Sequence, residues 1–168
     1  MNEIEEYDLF LFDFDGLLVN TELLHYFAYK TMCKNHGFDL NWSFEKYIQI
    51  AHYHSQGLEQ LIYAEFPSLK DIQPDWSVLY REKKTALIKI YHEDPILLMP
   101  GVERFLTFLN ENKKKMAVVT NSDLELIQII KKKTPILSTI PNWITRELYV
   151  KAKPNPECYL KAIQLLAN

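Results

Sequence analysis

The run Leu9-Phe10-Leu11-Phe12-Asp13-Phe14-Asp15-Gly16 limits the fold more than any other part of this chain. It is apolar or aromatic at nearly every position and barely alternates. That pattern predicts a strand over Leu9–Phe14 covered on both faces, as in a parallel sheet, with Gly16 ending it. A second apolar run, Met116–Thr120, follows a stretch in which Val102, Phe105, Leu106 and Leu109 recur at helical spacing. The two runs predict neighbouring strands of one α/β core.

The residues between those strands read as helices throughout. Thr21 suits an N-cap for a helix from Glu22 to about His36, stopped by Gly37. Further helices are expected from about Phe44 to His52, from Leu58 to Phe66 with an end near Pro67, and from near Pro74. In the last of these Trp76, Leu79, Tyr80, Lys83, Leu87 and Ile90 fall on one face, with Lys83 laying its stem along it. After Thr120 the pattern gives a helix from about Asp123 to Lys132, a short strand around Trp143–Thr145 and a final helix from Pro156 to Leu166. The fold class is therefore α/β, a layered core interrupted by an all-helical insertion. Residues 1–18 and 94–168 are expected to form the core, and residues 19–93 the inserted domain.

Composition narrows the partners. With 168 residues, 48% hydrophobic and 24% charged, the chain has globular composition, and a net charge of -3 gives no general attraction to nucleic acid or an anionic membrane. No apolar run is long enough to span a bilayer, and the acidic N-terminus lacks the basic start of a secretory signal. Cys33 and Cys158 lie far apart without CxxC spacing, so they predict neither a zinc site nor a disulfide framework but the thiols of a reducing, cytoplasmic location. His52 and His54 have no evident third ligand, which favours a solvated loop over zinc. The runs Lys113-Lys114-Lys115 and Lys131-Lys132-Lys133 sit at helix ends, where cations complement the helix dipole.

Asp13 and Asp15 carry the chemistry. Two apart on an extended chain, their side chains point to one side. At the carboxyl end of a parallel strand they would face one ligand crevice. Magnesium is commonly held by one or two carboxylates plus substrate phosphate, and a carboxylate can itself attack phosphorus. The same four residues also suit a surface turn in which Asp15-Gly16 caps the strand. The pair alone leaves both readings open.

The surrounding residues extend the comparison. Asp13-Phe14-Asp15-Gly16-Leu17-Leu18-Val19-Asn20-Thr21-Glu22 resembles the first motif of the haloacid dehalogenase-like superfamily, in its β-phosphoglucomutase and phosphoglycolate phosphatase-like branch. Met99-Pro100-Gly101-Val102 resembles the re-entry segment of that branch, Val118-Val119-Thr120-Asn121-Ser122 its second motif, and Lys153-Pro154-Asn155-Pro156-Glu157-Cys158-Tyr159 its third. The resemblance covers nearly the whole chain. It implies a Rossmann-like parallel sheet core with a helical cap, and a Mg2+-dependent phosphatase of a small phosphorylated metabolite. Asp13 would be nucleophile and magnesium ligand, forming an aspartyl-phosphate. Asp15 would be acid/base and would give the metal a further, main-chain ligand. Lys153 would neutralise charge, Thr120 and Asn121 would bind the phosphoryl group, and Thr21 and His25 would sit at the hinge and first cap helix near substrate.

Two departures qualify that picture. The family continues into another strand with an acidic motif that holds magnesium, whereas this sequence stops at Asn168, so a C-terminally shortened core is expected, with the Leu9–Phe14 strand at a sheet edge. The stretch His52–Gly57 has no arginine, which argues against a bisphosphate intermediate. The alternatives are a phosphosugar mutase of the same family, or a truncated or non-catalytic relative that binds a ligand or partner. Neither substrate nor oligomeric state is legible.

Overall fold

A computed structural model describes residue 4, residues 6–53 and residues 57–166. In chain order the elements are β1 (Leu9–Phe12), α1 (Glu22–Asn35), α2 (Phe44–Tyr53), α3 (Gly57–Glu65), α4 (Pro67–Ile72), α5 (Trp76–Glu93), α6 (Val102–Glu111), β2 (Lys115–Val119), α7 (Leu124–Lys133), β3 (Asn142–Ile144) and α8 (Glu157–Leu166). Short 3-10 turns cover Pro135–Thr139 and Arg146–Leu148. The chain divides into two compact units, Met1–Thr21 with Pro95–Asn168, and Glu22–Asp94.

The first unit is an α/β layer structure. Its three strands pair in parallel in the order β1-β2-β3, with Phe10 opposite Met116, Phe12 opposite Val118, and Val118 opposite Trp143. The central strand β2 is buried from Met116 to Val119. β1 differs from the sequence expectation. It ends at Phe12 rather than Phe14, and of its four residues only Phe12 is buried rather than the whole strand on both faces; its place at an edge of the three-stranded sheet agrees with the expectation. On one side of the sheet the rings of Phe10 and Phe12 each meet Phe105 of α6 edge-on at 6.0 Å. Elsewhere Val119, Ile144, Tyr149, Cys158 and Ala162 cluster, with Leu11 and Tyr159 against them. Gly101 starts α6 from a left-handed conformation (φ 84°), which costs little without a Cβ.

The second unit is all-helical and has its own core. Tyr26, Tyr29, Met32, Leu40, Trp42, Tyr47, Ile62, Leu69 and Leu79 are buried together. Many of these residues are amphipathic aromatics, which stay buried by pairing their polar tips. Tyr26 Oη donates to the Trp42 carbonyl, Tyr63 Oη to the Gln73 carbonyl at 2.8 Å, and Trp42 Nε1 to Glu65 at 3.1 Å. Pro67 does not merely end a helix. It opens α4, unanticipated from sequence, since proline at the first helical position lacks only an N–H that has no intrahelical partner there. α5 begins two residues past Pro74, because Asp75 caps it by accepting from Ser77 N at 2.9 Å. His52 ends up on α2, 3.2 Å from Glu22, and His54 lies outside the described residues. Both cysteines are buried and free, and burial pushes the Cys33 thiol up to about 12. Among the described residues no helix is long and apolar enough to cross a membrane.

Candidate active site

The sheet's parallel pairing brings the carboxyl ends of β1 and β2 to the same edge of the layer, where open α/β folds gather ligand groups. Asp13 directly follows β1, and Thr120 directly follows β2. Past Asp13 the chain turns sharply: the Phe14 carbonyl accepts from Leu18 N at 2.9 Å and Val19 N at 3.2 Å, and Gly16 takes φ 73°. The fully buried Phe14 ring, edge-on to Trp143 at 5.4 Å, anchors that turn between the two aspartates. Val19 then bridges Leu98, and Asn20 N donates to the Leu97 carbonyl at 2.8 Å, so the outgoing and returning chains are tied together.

Asp13 is half exposed. Its Oδ1 accepts from Phe14 N at 2.7 Å and from Lys153 Nζ at 2.8 Å, and its Oδ2 accepts no hydrogen bond from the described residues. Lys153 Nζ also donates to the Val119 carbonyl at 2.6 Å and lies 5.4 Å from the centre of the Tyr159 ring. The ammonium is thus fixed at the end of β2 and aimed at one oxygen of Asp13.

Asp15 is gripped on both oxygens. Thr21, fully buried, donates to Oδ1 at 2.6 Å, and Ser122 Oγ donates to Oδ2 at 2.5 Å. Thr120 Oγ1 accepts from Ser122 N at 3.0 Å, which turns the chain after β2 and delivers the Ser122 hydroxyl. Asn121 Oδ1 accepts from Tyr149 Oη at 2.7 Å and from Lys153 N at 3.1 Å. Burial is the main cause that pushes the Tyr149 hydroxyl up to about 12, so it is a donor at neutral pH.

The residues singled out from sequence therefore divide. Asp13 and Lys153 touch directly; Asp15 and Thr21 touch directly; Thr120 and Asn121 join them through Ser122, Tyr149 and the Lys153 main chain. His25 belongs to the helical unit. There its Nδ1 faces Lys83 Nζ at 3.0 Å and its Nε2 faces Tyr91 Oη at 3.0 Å. Sequence reasoning did not identify Ser122, Tyr149 or Glu157 as parts of the site. Glu157 accepts from Val150 N at 2.8 Å and Lys151 N at 2.9 Å and so pins the loop that carries Lys153. A glutamate opening a helix, within the motif that begins at Lys153, was the available signal for it.

Two carboxylates, one fixed ammonium and several oriented donors at one end of a parallel sheet can bind and polarise a tetrahedral anion. Among the described residues there is no group of three or more His, Cys, Asp or Glu placed to hold a metal ion. The donor set thus does not fit a closed zinc site, but it fits magnesium, which is commonly held by one or two carboxylates while water and substrate phosphate fill its shell.

A model of the haloacid dehalogenase-like hydrolase family matches residues 10–167. The chain is 31% identical over 170 residues to 2-deoxyglucose-6-phosphate phosphatase 2 of Saccharomyces cerevisiae, covering 95% of this chain and 64% of the yeast protein. It therefore spans about two thirds of that relative's length. Among solved structures, CbbY from Rhodobacter sphaeroides in complex with phosphate superposes with a TM-score of 0.76 at 21% identity, over 96% of this chain and 73% of that one. A HAD hydrolase of family IA, variant 3, from Entamoeba histolytica superposes with a TM-score of 0.74 at 25% identity, over 95% and 70%.

Proposed function

We propose, from the premise that this chain belongs to the haloacid dehalogenase-like hydrolase family, that it hydrolyses a small phosphorylated metabolite of the sugar-phosphate class through an aspartyl-phosphate on Asp13. The observation that carries this reading is the Lys153 ammonium, 2.8 Å from Asp13 Oδ1, beside a second carboxylate held by two hydroxyls. The name of the yeast relative, a phosphatase of 2-deoxyglucose 6-phosphate, supports the substrate class.

The steps follow from the side chains. An Asp13 carboxylate oxygen attacks phosphorus while the ester P–O bond breaks, and the leaving oxygen takes the proton of the Asp15 carboxyl. Water then attacks phosphorus of the aspartyl-phosphate and gives its proton to the Asp15 carboxylate; inorganic phosphate leaves and Asp13 is restored. Thr21 and Ser122 orient Asp15 for both transfers. Lys153, with the Asn121 amide and the main chain around Thr120, is disposed to meet charge on the phosphoryl oxygens. The Asp13 carboxylate and the Asp15 main-chain oxygen would hold Mg2+, which when bound supplies positive charge against the carboxylate and phosphoryl oxygens.

The test is phosphate release from a panel of sugar phosphates and phosphoglycolate with saturating magnesium. Release that is lost on chelation and falls by at least about a thousandfold in Asp13→Asn is expected, since removing a nucleophile removes the covalent route. Acid-quenched protein should carry one added phosphoryl mass on the peptide that contains Asp13. No release from any substrate would refute the reading, and isomerised product with little free phosphate would transfer it to a mutase.

A further inference from the structure

Asn121 is held in an unusual way for an exposed amide. A main-chain N–H can only donate, so the atom facing Lys153 N at 3.1 Å is the amide oxygen; the orientation of the side chain follows from its partner. The same oxygen receives Tyr149 Oη at 2.7 Å. With Oδ1 doubly occupied, Nδ2 makes no hydrogen bond with the described residues, and its two hydrogens remain for a ligand. Tyr149 is 6% exposed, and its hydroxyl also lies 2.7 Å from the Thr120 carbonyl. The single phenol proton is shared between these two acceptors, so one hydroxyl spans both residues that follow β2.

We propose that Tyr149 is a positioning residue for phosphoryl recognition, its hydroxyl holding the Asn121 amide oxygen so that both Nδ2 hydrogens are reserved for the anion. This rests on the phosphatase reading for its ligand. Tyr149 does not itself touch the phosphoryl group. Its ring is fixed from the other side: Arg146 lies 5.2 Å from the ring centre and donates to the Tyr149 carbonyl at 2.7 Å. Without the hydroxyl, the amide keeps only the longer contact to Lys153 N and can rotate or reverse its two ends. A clamp of this kind costs no substrate contact when removed, so its loss appears as weaker anion binding that depends on Asn121.

The experiment measures inorganic phosphate binding, by NMR titration of the whole chain, for the wild type, Tyr149→Phe, Asn121→Ala and the double variant. Tyr149→Phe keeps the ring and is expected to weaken phosphate binding about five- to tenfold, the worth of one oriented hydrogen bond. In the Asn121→Ala background the same change should cost less than twofold. An equal loss in both backgrounds would overturn the proposal, because the phenol would then act through general packing. So would no loss in the first background, or a wild type that binds no phosphate. A second readout is independent of the anion. The Asn121 side-chain amide resonances of the ligand-free protein should be dispersed and slow to exchange in the wild type and collapse towards random-coil values in Tyr149→Phe; unchanged amide resonances would also overturn the clamp. Coupled phosphate binding without any turnover would refute the phosphatase reading and leave the clamp standing. Turnover without that coupling would do the reverse.

Discussion

Lys153 is where charge matters most. Its Nζ faces one Asp13 oxygen and a main-chain carbonyl, so replacement by methionine preserves much of the stem but removes the cation. Lys153→Met is expected to lower kcat/KM by about a hundred- to a thousandfold, the usual loss for one oriented electrostatic donor, read from steady-state phosphate release. A loss below fivefold would remove Lys153 from the chemistry. Asp15 should respond differently from its supports. Asp15→Asn removes the proton carrier, with an expected loss of about 10² to 10⁴ in kcat. Ser122→Ala removes only the hydroxyl at Oδ2, so its loss in kcat should be smaller than that of Asp15→Asn. Asp13 and Asp15 were singled out from sequence by an extended-chain spacing that the fold does not keep, since β1 ends at Phe12 and the chain turns after Asp13. Ser122 was not singled out, since its partner Asp15 stands 107 positions earlier.

The loop between β3 and α8 depends on charged residues at its two ends. Arg146 donates to the Tyr149 carbonyl at 2.7 Å and the Val150 carbonyl at 3.2 Å, while Glu157 receives Val150 N and Lys151 N. Those main-chain donors are the first cause that holds the Glu157 carboxyl below its usual value of 4.5. The sign follows: a carboxyl depressed in the fold stabilises it above the unfolded value and loses that contribution as pH falls through the lower folded value. Amide exchange at Val150 and Lys151, corrected for intrinsic rates, should therefore lose protection below about pH 4.5. In Glu157→Ala protection at those two amides should already be low at neutral pH. Retained protection in that variant would show that Arg146 alone sets the loop. The helix starts near Pro67 and Pro74 teach a related lesson. Proline marks a boundary in both places, but only the local cap decides on which side the helix begins.

The two compact units have separate cores, so each should respond to its own cavities. Leu79 is fully buried in the helical unit. Leu79→Ala is expected to destabilise that unit by about 2–5 kcal/mol, the range for deleting a large aliphatic side chain from a packed core. Urea unfolding followed by tryptophan fluorescence can report it, with Trp42 and Trp76 in that unit and Trp143 in the other. Replacing Trp143 by phenylalanine leaves both tryptophans of the helical unit as the signal. An unchanged midpoint would mean that Leu79 packs less tightly than its zero exposure indicates.

The α/β class and the helical insertion could be read along the chain, because side-chain periodicity and capping residues are properties of neighbours. Three things could not. The stop of β1 at Phe12 depends on the turn that closes behind Asp13, the 3-10 turns have no period long enough to see, and the site's hydrogen bonds join distant positions. Lys153 meets Asp13 across 140 residues, and Tyr149 meets Asn121 across 28. A hydrogen bond specifies an atom within about 3 Å of another. No pattern of residue types along the chain encodes that distance, and it is set only when the strands and the loop pack.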